Sequence, residues 1–91
     1  DAFGVESVLA TTVHAYTASQ GIVDKPAKKK HRGRAAAVSV IPTTSGADAA
    51  TVQVLPGLAD RIRVLAIRVP VPDGSLTDIN VQLSRRASAK D

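Results

Sequence analysis

The chain has 91 residues, 44% of them apolar but only 2% aromatic, with a formal charge of +4 and a pI near 10.0. A chain of this length makes one domain at most and buries about 60 to 65% of its unfolded surface, with a core that must come from Val, Ile, Leu and Ala. It holds no cysteine, which excludes disulfides, thiolate metal sites and a cysteine nucleophile from this polypeptide.

Residues 5–16, VESVLATTVHAY, are rich in Val, Leu, Thr and Tyr and nearly continuously apolar in the middle, which predicts a buried strand with His14 at its C-terminal end. Ahead of it, DAFG reads as the tail of a helix with Gly4 just past the end. From residue 17 to 34 the periodicity is lost. Gly21, Pro26, Gly33 and the run Lys25, Lys28, Lys29, Lys30, Arg32, Arg34 predict a long irregular basic loop, functional or solvated.

Residues 35–41 are small and apolar, and Pro42 is expected to stop whatever they form. Thr43, Thr44, Ser45 and Gly46 suit a turn, with Ser45 as N-cap of a helix over 47–54 that Pro56 and Gly57 end. Residues 61–71 and 75–83 are β-branched segments joined by Pro72-Asp73-Gly74, and are expected to pair as antiparallel neighbours. Ser88 resembles an N-cap for a helix that does not follow, so both termini read as cuts through a larger structure.

No window reaches the ~18 apolar residues of a membrane span, and the first residues lack the basic flank and apolar stretch of a signal peptide, so a soluble, cytoplasmic protein is expected. Two histidines, His14 and His31, are too few and too separated for a local metal motif, and no metal is expected.

Taken alone, a histidine such as His14 near a strand end is more often a hydrogen-bonded structural residue than a base. In its setting, TTVHAYT is similar to the signature around the catalytic histidine of phosphorylating glyceraldehyde-3-phosphate dehydrogenases. The loop ending in RGRAAA, then IPTTSGA, VLPGL, AIRVPVPDGS and DINVQL follow in that family's order, so the resemblance spans essentially the whole chain. It implies an α+β fold, a mostly antiparallel catalytic-domain sheet with one middle helix and an S-shaped loop. Residues 1–91 would form a single partial catalytic domain without a dinucleotide-binding domain; no G-x-G-x-x-G occurs.

The resemblance also implies roles. The family oxidises an aldehyde through a cysteine thiohemiacetal, passes hydride to NAD and lets inorganic phosphate attack the thioester. His14 would be the base, because an imidazole titrates near neutrality. Thr17 and Arg68 would hold the substrate's phosphate, since a guanidinium forms bidentate charge-assisted bonds with phosphate oxygens. The alternative role for Arg68 is a structural ion pair. Arg34, Ser45 and the amide of Gly46 would hold inorganic phosphate, the last two at a helix start that presents free N–H groups. The S-shaped loop implies a homo-oligomer. Several positions depart from the family: Ser45 replaces a threonine, His31 a common arginine, Ala49 a lysine and Gly57 a glutamate, and Lys28 to Lys30 is unusually basic.

Without the cysteine, this polypeptide by itself is expected to be inactive as a dehydrogenase and to bind NAD at most weakly. The expected partners are a phosphate-bearing small molecule and copies of itself, with no membrane. Two alternatives come from other classes: a small basic module that binds RNA or another polyanion through KPAKKKHRGR, and a stand-alone remnant that docks on other proteins. One Phe and one Tyr, neither in the basic stretch, provide no stacking platform for nucleic acid.

Overall fold

A computed structural model describes residues 2–91; Asp1, the first residue of the expected helix tail, lies outside the described residues. The molecule is an open slab of 48 × 26 × 16 Å with a radius of gyration of 16.3 Å. A compact domain of this length has about 12 Å. The difference follows from a single sheet with little covering it.

The strands are β1 (Val5–Ala15), β2 (Ile41–Thr43), β3 (Ile62–Val69) and β4 (Ser75–Leu83), in the order β2-β3-β1-β4, and helix α1 spans Ala47–Val54. The fold is α+β with a mixed sheet: β1 pairs with β4 and β2 with β3 antiparallel, whereas β1 and β3 are parallel. This corrects one expectation. The segments joined by Pro72-Asp73-Gly74 are not neighbours, because β1 lies between them. The turn carries the chain across β1, with Gly74 at φ +93 and its carbonyl accepting the Ala15 N–H at 3.1 Å. Two β-branched runs with a good turn between them form a hairpin only if no third strand competes for the gap, and β1, apolar and eleven residues long, occupies it.

Pro42 does not end a segment; it lies inside β2, opposite Ile67. Proline is tolerated there because β2 is an edge strand whose outward N–H has no ladder partner to lose. The helix has the expected bounds, but its cap position is Gly46, with Ser45 one residue earlier. The irregular loop contains a 3₁₀ turn, Lys30–Gly33, and is tied together by Lys25 N–H to Gly33 O at 2.8 Å and Ala36 N–H to Gly21 O at 2.9 Å. Gly4 is left-handed, φ +66, and Ala2 and Phe3 ahead of it are not helical. Ser88 closes a turn with Asp91, the last residue of the sequence.

The apolar core is thin: Val8, Ala36, Ile41, Ile62 and Ala66 are the buried apolar side chains among the described residues. The sheet face carrying Val8, Ile62 and Ala66 is the one α1 approaches; on the other, Leu9 and Leu76 are 60% and 64% exposed. Among the described residues no helix is long and apolar enough to cross a membrane.

Candidate functional site

Residues opposite one another on paired strands share a face. The register sets His14 against Arg68 on β3 and Ser75 on β4, and Arg68 against Ile41 on β2. The row before it contains Thr43, Ala66, Thr12 and Thr77. His14 and Arg68 therefore stand side by side near the C-terminal ends of the parallel pair, the end at which α/β sheets commonly receive ligands.

His14 is half-buried, and its Nε2 lies 2.6 Å from Thr12 Oγ1. Thr12 is 6% exposed and accepts a hydrogen bond from the Thr77 hydroxyl at 3.2 Å. With Thr77 donating to it, Thr12 keeps its own proton for Nε2, which leaves the ring proton on Nδ1; the other tautomer donates from Nε2 to Thr12. Either arrangement fixes the ring plane. For Nε2 to take a proton from a reacting group, the ring must exchange Thr12 for that group.

A cleft of about 410 Å³ is lined by His14, Thr17, Arg68, Asp73 and Ser75, among others. Arg68 is half-buried, its NH1 donates to the Ala15 carbonyl at 3.0 Å, and its Nε is buried without a partner among the described residues. Among the described residues the one ion pair is Arg34 with Asp24, so Arg68 has no carboxylate partner and the structural ion-pair role does not apply. Asp73 lines the same cleft, with Oδ1 engaged by the Gly74 N–H at 2.8 Å.

A second cleft, of about 380 Å³ between the sheet and α1, shares His14 and Thr12 with Ser45, Ala47 and Thr51. Ser45 Oγ accepts the Ala47 N–H at 3.1 Å, and Asp48 Oδ1 accepts the Ala49 N–H at 2.8 Å. Two early amides of the helix are thus already taken, and Asp48 places a carboxylate where an anion would sit. The helix dipole favours that carboxylate for the same reason it would favour a phosphate.

Arg34 lines neither cleft. It pairs with Asp24 at 3.2 Å, with side chains 70% and 56% exposed. Two positions earlier, Arg32 is half-buried, with Nε donating to Thr43 Oγ1 at 3.0 Å and NH1 to Ser19 Oγ at 3.2 Å. It lines a third cleft with Lys29, Lys30, His31, Thr43 and Thr44, where Lys29 Nζ donates to Thr44 Oγ1 at 2.7 Å. Sequence reasoning weighed Arg32 only as one charge of a run. The R-G-R spacing offered two arginines, and only the loop's path decides which faces inward. Gly46 caps α1 beside Ser45. The structure therefore brings together His14, Thr17 and Arg68 in one cleft and His14 and Ser45 in the next, and sets Arg34 apart. Among the described residues no group of three His, Cys, Asp or Glu could hold a metal ion.

The whole chain, residues 1–91, matches the family described as glyceraldehyde 3-phosphate dehydrogenase, C-terminal domain. It is 50% identical over all 91 residues to glyceraldehyde-3-phosphate dehydrogenase 1 of Streptomyces arenae. It is 47% identical over the same span to the glyceraldehyde-3-phosphate dehydrogenase of Borreliella burgdorferi and 46% to that of Mycobacterium tuberculosis. The chain spans 27% of the length of each of these relatives.

Proposed function

Because the chain belongs to the glyceraldehyde 3-phosphate dehydrogenase C-terminal-domain family, we propose that it supplies the imidazole and the anion-binding side chains of a cytoplasmic, glycolytic, NAD-dependent phosphorylating aldehyde oxidation. The observation that carries this reading is the shared wall: His14 borders both the Arg68 cleft and the Ser45 cleft. One imidazole beside two anion-sized spaces suits a substrate with a phosphoryl group at one end and a reacting carbon at the other.

In this reading Arg68 and Thr17 bind the substrate's phosphate. Among the described residues Arg68 is a cation without a carboxylate partner, and Thr17 offers a hydroxyl that lines the same cleft. His14 accepts the hemiacetal proton once its Nε2 has exchanged Thr12 for the reacting oxygen. Ser45 and the Gly46 amide receive inorganic phosphate, in competition with Asp48. Arg34 can join them only by leaving Asp24, whereas Arg32 is already oriented toward β2 by Thr43. The attacking thiol comes from outside these residues, since the chain has no cysteine.

NAD would accept the hydride. The residues of this chain do not fit its pyrophosphate, because they include no G-x-G-x-x-G turn leading from a strand into a helix. No residue of this chain is assigned to the hydride step. Homo-oligomerisation belongs to the same proposal.

Titrating the chain with glyceraldehyde 3-phosphate and with inorganic phosphate, followed by ¹H–¹⁵N NMR, tests the reading. Shifts centred on His14, Thr17 and Arg68 are expected with the sugar phosphate. Shifts confined to residues 28–32 would refute it and favour a polyanion-binding module, a reading supported by the third cleft, which has three certain cations and no carboxylate. In that case affinity would fall steeply with added salt.

A further inference from the structure

Gln20 sits in the turn that follows β1 and is 5% exposed. Two hydrogen bonds cross between it and Thr17: the Thr17 N–H donates to Gln20 Oε1 at 3.1 Å, and the Gln20 N–H donates to the Thr17 carbonyl at 2.9 Å. The other end of the side-chain amide, Nε2, is buried and has no partner among the described residues. A buried amide nitrogen without an acceptor is unfavourable, and a methionine would fill the same space without it. Packing therefore does not explain a glutamine here; the acceptor on Oε1 does.

That acceptor fixes the first polar residue beyond β1. Thr17 lines the cleft with His14 and Arg68, and its hydroxyl meets Ser19 Oγ at 2.9 Å. Ser19 Oγ in turn accepts from Arg32 NH1 at 3.2 Å. One turn thus holds Thr17 toward Arg68 on one side and receives Arg32 on the other, and its only buried side chain is Gln20.

We infer that Gln20 is a positioning residue of the Thr17–Arg68 anion cleft, fixing the backbone of Thr17 and through it the hydroxyl that meets a phosphoryl oxygen. Gln20 itself is sealed from any ligand. The inference rests on the reading of that cleft as a phosphate site. Its physical basis is pre-organisation: a hydroxyl on an exposed turn contributes to binding only if the turn does not have to be ordered when the anion arrives.

The test uses Gln20→Met and inorganic phosphate as the probe, with affinity, amide exchange and thermal midpoint measured on the 91-residue chain. Weakening of phosphate binding on the order of five- to tenfold is expected, the equivalent of one hydrogen bond's worth of ordering. Exchange protection at the Thr17 amide should be lost while Thr12 and Val13 in β1 keep theirs, and the thermal midpoint should hold or rise because the unpartnered Nε2 is gone. Gln20→Asn, which keeps the amide but shortens its reach, should behave like Gln20→Met; full affinity in that variant would overturn the inference.

Unchanged phosphate affinity in Gln20→Met despite lost Thr17 protection would also overturn it. So would a collapse of protection throughout β1, which would make Gln20 a purely structural residue. Arg68→Gln separates the two levels. If it weakens phosphate binding while Gln20→Met does not, only the role of Gln20 falls. If neither variant matters, or the unmodified chain binds no phosphate, the cleft reading falls and takes this inference with it.

Discussion

Replacing Arg68 with methionine distinguishes a ligand-binding cation from a structural one. The half-buried guanidinium makes a charge-assisted bond from NH1 to the Ala15 carbonyl, the kind that contributes about 1.5 to 3 kcal/mol. Its buried Nε has no partner, which costs about 1 to 3 kcal/mol. Both disappear in Arg68→Met, and the methionine retains most of the apolar stem. The two effects oppose each other and have similar size, so a net stability change within about 1 kcal/mol is expected. Phosphate affinity should behave differently. Losing a bidentate arginine–phosphate contact worth about 1.5 to 3 kcal/mol weakens binding roughly 10- to 100-fold. Urea unfolding with the slope held constant gives the first quantity, and phosphate titration gives the second. A loss of more than about 3 kcal/mol, the range expected on breaking a buried ion pair, with phosphate affinity unchanged would refute the reasoning and make Arg68 a cation of the fold.

Other outcomes follow from single contacts. Asp48→Asn removes the carboxylate from the start of α1 and should strengthen phosphate binding at Ser45 and Gly46, at a stability cost of no more than about 1 kcal/mol; NMR titration and urea unfolding check the two halves. Gly33→Ala should destabilise the loop by about 1 to 3 kcal/mol, since a Cβ there would run into the Lys25 carbonyl oxygen and backbone cannot rotate aside; lost protection at the Lys25 amide reports it. The Asp91 carboxyl is held below its ordinary 3.8 by the Ser88 N–H first and the Ser88 hydroxyl second. A depressed carboxyl pKa stabilises the turn above 3.8 and ceases to do so as pH falls through the lowered value, so the Ser88 amide shift should titrate with a midpoint under 3.8. A midpoint at or above that value contradicts it.

The thinness of the core bears on all of these experiments. Five buried apolar side chains, two of them alanines, leave one sheet face broadly open. Small domains have little stability in reserve, so variants are best compared at low temperature and without competing anions.

Local pattern determined a good deal. The apolar run through His14, the helix over Ala47–Val54 with its small polar entry and proline exit, and the two β-branched strands were all legible, because each depends on residues within a few positions of one another. So was the family, carried by the order of short motifs along the chain. Pairing was not legible. Whether β3 lies beside β4 or across β1 depends on which strand wins a gap between segments more than forty positions apart in sequence, and no local period encodes that competition. The same limit applies to RGR: both arginines have the same chemistry, yet Arg34 turns outward to Asp24 and Arg32 inward to Thr43 and Ser19. Pro42 reads locally as a stop, and becomes acceptable only because β2 ends up at an edge. Short-range sterics and hydrogen bonding choose the elements; the burial of one face against distant partners chooses their neighbours, and with them which charges meet in a cleft.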